Sequence, residues 1–117
     1  MTESAPDERV INIRKPYLEL IAEGRKTIEV RVGYPSMRKL TPGQMLRFTS
    51  GDTSVRTRVT KVNQYPSFEA MLDAEDNATI GSEGMTRDDL LCVCRNIYPP
   101  EKEALGVLAI HLQLLPD

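Results

Sequence analysis

A chain of 117 residues, 40% hydrophobic and 27% charged, is long enough for one modest core and too short for two, and its composition excludes a disordered or fibrous protein. No apolar run reaches the roughly 20 residues that span a bilayer. The opening Met1-Thr2-Glu3-Ser4-Ala5-Pro6-Asp7-Glu8 also lacks the basic and apolar stretch of a secretion signal, so a cytoplasmic location is expected.

The net charge of −2 conceals a division. Residues 9–61 carry twelve Lys and Arg against four Asp and Glu, a net of +8, whereas residues 62–117 carry three against ten, a net of −7. The first eight residues add −3. Held apart in space, the halves give a dipolar surface whose basic side attracts phosphates; interleaved, the charges pair on the surface. With only Tyr17, Tyr34, Phe48 and Tyr65 as rings in or beside the basic half, no long base-stacking platform is expected.

In chain order, residues 1–8 read as a disordered, solvated tail and residues 9–117 as a single domain. Arg9–Arg14 is a first strand. Pro16 suits the first turn of a helix over Tyr17–Glu23, which Gly24 stops. A strand follows from Lys26 to Val32, then a basic loop, Gly33–Lys39, and a Thr41-Pro42-Gly43 turn into a strand over Gln44–Ser50. Gly51-Asp52 makes a hairpin to a long return strand, Thr53–Asn63. Val55, Thr57 and Val59 share one face of it, and the alternation changes phase near Thr60, which predicts a bulge. Ser67 caps a helix over Phe68–Ala74. Thr86, with Asp89 three residues on, opens a second helix that runs to about Ile97. Leu105–Leu114 is the last strand. The order β-α-β-β-β-α-α-β with short hairpins predicts an α+β fold, a small, mostly antiparallel barrel with two or three helices at its edge.

The segment Gly24-Arg25-Lys26-Thr27-Ile28-Glu29-Val30-Arg31 carries the chemistry. Ile28, Val30 and Val32 alternate with Thr27, Glu29 and Arg31, a strand with one apolar and one polar face. The polar face sets a carboxylate two residues from a guanidinium, with Lys26 at the strand's mouth. Such a set can bind an anion, neutralise itself as an ion pair, or move protons. Arg14 and Lys15 precede a helix N-terminus, where free N–H groups also favour anions. Arg38 and Lys39 are placed to cover a cleft, or else are solvated surface charges. Glu83, in the glycine-containing loop between the two helices, can accept from an exocyclic amine or sit at a helix N-terminus. Cys92 and Cys94, two apart, have neither zinc-site nor redox-motif spacing, and with one distant histidine, His111, no metal or other cofactor is indicated. His111 reads as a sheet-face residue.

The run from Tyr17-Leu18-x-x-Ile21 through Gly24–Arg31 resembles the G-x-K-x-x-E-x-R signature of ASCH domains, a branch of the PUA-like superfamily of small β-barrels. Thr41-Pro42-Gly43, Glu83-Gly84-Met85-Thr86, Asn96-Ile97-Tyr98-Pro99 and Val107-Leu108-Ala109-Ile110 resemble further family features, so the likeness spans residues 10–115. It implies an RNA, nucleoside or nucleotide ligand in a cleft lined by Lys26, Glu29, Arg31 and Glu83, with Arg14, Lys15, Thr27, Arg38 and Lys39 around it. It also implies an alternative, because some small bacterial members are amidohydrolases that deacylate N4-acetylcytidine. Those use the signature lysine, a threonine at the place of Glu29, and a glutamate corresponding to Glu83. Here the lysine and the second glutamate are kept and the threonine is not. An enzyme built from these residues would use Glu29 as a general base on water, Lys26 to stabilise the oxyanion, and Glu83 on the leaving amine. No membrane contact is expected.

Overall fold

The computed structural model describes residues 8–81 and 84–116. Nine elements follow one another: β1 (Arg9–Asn12), α1 (Lys15–Ala22), β2 (Ile28–Val32), β3 (Met45–Ser50), β4 (Thr53–Tyr65), α2 (Phe68–Ala74), α3 (Arg87–Ile97), α4 (Pro100–Glu103) and β5 (Val107–Leu114). The strands form one curled sheet in the order β1-β3-β4-β5-β2, a half-barrel with β1 and β2 as its two edges. Only β1 and β3 run parallel; the other three pairings are antiparallel. Among the described residues no helix is long and apolar enough to cross a membrane.

Local chemistry explains most boundaries. Pro16 lies in the first turn of α1, and Gly24, at φ +77°, adopts the left-handed conformation that ends it. The backbone amides of Arg25 and Lys26 both turn back to the Leu20 carbonyl, so β2 starts at Ile28 rather than at Lys26. The first strand is likewise shorter than expected. Arg14 stands at the N-cap of α1, and Ile13 N–H bonds Thr49 O as the chain leaves the sheet. Ser67 caps α2 by accepting from Ala70 N–H, and Thr86 with Asp89 forms a reciprocal capping box at α3. The short helix α4 was not expected. Pro99-Pro100 reads as the exit of α3, but Pro100 also suits the first turn of a new helix.

The expected phase change falls where β4 slips register against β5, between Val59 and Lys61. Before the bulge Val55, Thr57 and Val59 point inward. After it Val62, opposite Ile110, takes over that side. Thr57 is fully buried and satisfies its hydroxyl by donating to Leu46 O at 2.7 Å.

β5, between β4 and β2, is buried on both faces and divides two cores. Leu108, Ile110 and Leu112 face inward with Leu18 and Ile21 of α1, Leu46, Phe48 and Val59. Val107 and Ala109 face outward with Ile28 and Val32 of β2, under Phe68, Met71 and Leu72 of α2 and Leu90 of α3. His111, on the outward face, sits 2.9 Å from Glu75 Oε1, and Glu75 Oε2 accepts from Asn63 and Tyr65. This cluster fastens the end of α2 to the sheet. Phe48 is fully buried while Val10, on the open side of β1, is 61% exposed. Phe48→Ala should cost about 3–5 kcal/mol and lower Tm by more than about 10 °C, whereas Val10→Ala should stay within about 0.5 kcal/mol. Thermal melts showing similar losses for both would contradict the inward assignment of this strand.

Candidate functional site

The two edges of the half-barrel do not pair with each other. Arg31 of β2 reaches across, donating from Nη2 to Asn12 O of β1 at 3.1 Å. The seam so bridged opens into a cleft of about 200 Å³ between α1 on one side and α3 on the other.

One buried carboxylate organises it. Glu29 is 6% exposed; its Oε1 lies 3.2 Å from Lys26 Nζ and its Oε2 accepts from Arg31 Nε at 2.6 Å. Lys26 is 5% exposed and donates also to the carbonyls of Ile28 and Ile80, both at 2.6 Å, with the Tyr17 ring 5.8 Å away. Of the three N–H donors of an ammonium, two go to these carbonyls, and the charge is paired with Glu29. The lysine therefore ties β2 to the loop after α2 and fixes the Glu29 side chain. The remaining walls are mostly apolar, from Ile80, Leu90, Val93 and Ile97, with the rings of Tyr17 and Tyr98 and the Arg14 side chain also facing the space. Tyr98 stacks on Phe68 at 6.0 Å between centroids. Burial raises the pKa of its hydroxyl above the ordinary phenol value; Arg31 opposes this and Glu29 adds to it, so the group stays a protonated donor at neutral pH. Cys94 also lines the cleft, and burial, opposed by Lys26 and reinforced by Glu29, pushes its thiol up to about 11. It is a neutral thiol there, not a nucleophile.

Of the residues singled out in the sequence, Arg14, Lys26, Glu29 and Arg31 meet at this cleft. The others do not join them. Lys15 is exposed on the first turn of α1 and is no part of the lining. Thr27 is half-buried, and its backbone bonds Thr79 and Leu112. Arg38 turns away, its Nε donating to Gly33 O at 2.9 Å and its Nη2 to Leu105 O, so it clamps the loop after β2 rather than covering the cleft. Lys39 is exposed in a 3₁₀ turn over Met37–Lys39. Glu83 lies outside the described residues. Sequence reasoning gave no place at the site to Asn12, Tyr17, Ile97 or Tyr98, which also line it. A signal existed for Tyr17: with Leu18 and Ile21 buried, the residue before them must look sideways along the helix. Among the described residues no group of three His, Cys, Asp or Glu is placed to hold a metal.

Lys26→Ala would leave two buried carbonyls without a donor and remove one cation from a buried carboxylate. Such breaks cost about 3–5 kcal/mol, so this substitution should register in a urea melt before any functional assay. An unchanged midpoint would mean that the ammonium is not buried as described.

The fold is shared with solved structures. The hypothetical protein PH0355 is 28% identical, with a TM-score of 0.84 over 92% of this chain and 99% of its own. Protein PF0455 from Pyrococcus furiosus is 30% identical, with a TM-score of 0.77 over 94% and 99%. An ASCH domain from Lactobacillus crispatus JV V101, 15% identical over 92% of this chain and 79% of its own, agrees in fold alone, with a TM-score of 0.69. No curated protein matches the sequence. The ASCH domain model runs over residues 11–116, from β1 past the end of β5, and the chain belongs to the ASCH domain family.

Proposed function

We propose that the seam cleft binds one nucleobase, carried by a nucleoside, a nucleotide or single-stranded RNA, and does so without chemistry on it. The observation that carries this reading is the buried Glu29 carboxylate, held from both sides by Lys26 and Arg31 at the wall of an otherwise apolar and aromatic space. A carboxylate offers about four lone-pair positions. Two are used by the protein's cations, which leaves the others for a ligand's N–H groups. The exocyclic amine of cytosine is the donor such a group recognises, and guanine presents a comparable one. Uracil turns carbonyl oxygens toward the same site and would be repelled. At about 200 Å³ the cleft falls below the roughly 300–1,000 Å³ of sites for drug-sized ligands, which fits one ring system. Arg14 stands where it can meet a phosphate.

The hydrolase alternative finds less support. Oxyanion stabilisation needs a donor aimed at the substrate, and Lys26 is 5% exposed, with two of its donors on backbone carbonyls and its charge paired with Glu29. The free thiols Cys92 and Cys94 fit a reducing compartment such as the cytoplasm.

Calorimetric titration with cytidine, guanosine and uridine should show the first two binding and uridine at least about tenfold weaker, matching the 1–3 kcal/mol of one good base contact. Equal affinity for all three, or none for any at millimolar concentration, would refute base recognition by Glu29. Arg14→Gln should weaken cytidine 5′-monophosphate and spare cytidine. N4-acetylcytidine incubated with the protein should be recovered intact by mass spectrometry, and its deacetylation would overturn the non-catalytic reading.

A further inference from the structure

Beyond the cleft, the sheet has a bare outward face. Helices α2 and α3 cover that face over β5 and β2, whereas over β1, β3 and the first half of β4 the side chains opposite the core are exposed or half-buried. The cross-strand register arranges them in rows. Asn12, Thr49 and Ser54 form the row nearest the cleft, with the Thr49 hydroxyl donating to Asn12 Oδ1 at 2.8 Å. Val10, Arg47 and Arg56 form the next, and Met45 and Arg58 the third. Arg47 and Arg56 stand directly opposite one another. Like charges in that relation destabilise a sheet pair. Among the described residues one carboxylate meets them, Glu8, whose Oε2 is 3.5 Å from Arg47 and 3.4 Å from Arg56. Arg58 has no ion-pair partner among those residues, and its Nη2 lies 3.8 Å from Met45 Sδ. Among the described residues the face therefore carries three guanidiniums, Arg47, Arg56 and Arg58, against the one carboxylate of Glu8.

We infer that this row of arginines is a track for the phosphodiester backbone of single-stranded RNA leaving the cleft. The inference rests on the cleft reading for where the strand begins. Asn12 belongs both to the cleft lining and to the first row, so the two surfaces are continuous. Residues two apart on a strand are about 6.8 Å apart, which puts the Arg58 row about 14 Å from the Asn12 row. A backbone running across these rows passes Arg47 and Arg56 together and then Arg58. Guanidinium forks suit phosphate oxygens, and exposed arginines beside a base-binding site form the charged groove that single-strand binders use. The sheet face lacks exposed aromatic rings among these rows, so it follows the backbone and leaves base recognition to the cleft. A free nucleoside would have no use for it.

The test compares a short, end-labelled single-stranded RNA containing cytidine and guanosine with cytidine 5′-monophosphate, on the wild-type chain and on the Arg56→Gln, Arg58→Gln double variant. The variant should bind the RNA at least about tenfold more weakly at low salt. Its log–log salt slope should be smaller by about 1.4, as for two lost single-strand phosphate contacts. Mononucleotide affinity should be unchanged, and Tm should hold or rise because an opposed like-charge pair is gone. RNA affinity and salt slope equal to wild type would overturn the track while leaving the cleft reading intact. Parallel weakening of RNA and mononucleotide would also overturn it, since the effect would then pass through the cleft. RNA binding that depends on these arginines, with no mononucleotide binding, would keep the track and sink the cleft reading.

Discussion

A single buried carboxylate sets the geometry on which the rest of this site depends. Burying Glu29 is costly unless its charge is met at close range. Lys26 and Arg31 meet it from opposite ends, and each then uses its remaining donors on backbone carbonyls from elsewhere: Ile28 and Ile80 for the lysine, Asn12 for the arginine. One ion triad thus joins the mouth of β2, the loop after α2 and the end of β1. The two free edges of the sheet are held together by this polar bridge instead of by a backbone ladder. A continuous ladder would close the barrel and leave no seam. The half-barrel and its cleft are two descriptions of the same substitution of side-chain contacts for strand pairing.

The rest of the fold keeps that seam in place. β5 is apolar on both faces because it lies inside the sheet and separates α1 from the outer helices. Its pairing with β2 fixes Glu29 opposite Ile110 and Arg31 opposite Leu108, which puts both polar residues on the inward side. The bulge in β4 lets one long strand serve β3 over its first half and β5 along most of its length while Val59 stays buried and Val62 packs, half-buried, against the same core.

Features governed by short-range chemistry were legible in the sequence. The two faces of β2, the Gly24 stop, the caps at Ser67 and Thr86, and the phase change near Thr60 all follow from residues within a few positions of one another. The parallel pairing of β1 with β3 was not legible, because Asn12 and its partner Thr49 are 37 positions apart and nothing between them signals it locally. The fate of Arg38 was hidden for a similar reason: its acceptor at Leu105 is 67 residues away. Lys26 lines the cleft, but its orientation was not readable. One of its acceptors, the Ile80 carbonyl, belongs to a loop whose path depends on α2 docking against the sheet. The charge division between the two halves was visible, but its disposition on one bare face required the register of three strands.

The residue at position 29 also bears on the proposed reading of this site. With a hydroxyl there, as the resemblance to the family's hydrolases implies for those enzymes, a nearby lysine has no carboxylate at this position to pair with. With a carboxylate the lysine's charge is drawn into an ion pair, and the arginine two residues on is drawn in from the other side. The charge that makes Glu29 a good acceptor for a ligand's N–H groups is the same charge that occupies Lys26. Cys94 offers no substitute nucleophile, since its thiol is held neutral by burial. On the recognition reading proposed above, the carboxylate on this strand is an acceptor fixed by two cations before any ligand arrives. That is the property a recognition site needs: groups fixed before the ligand arrives, so that little ordering remains to oppose binding.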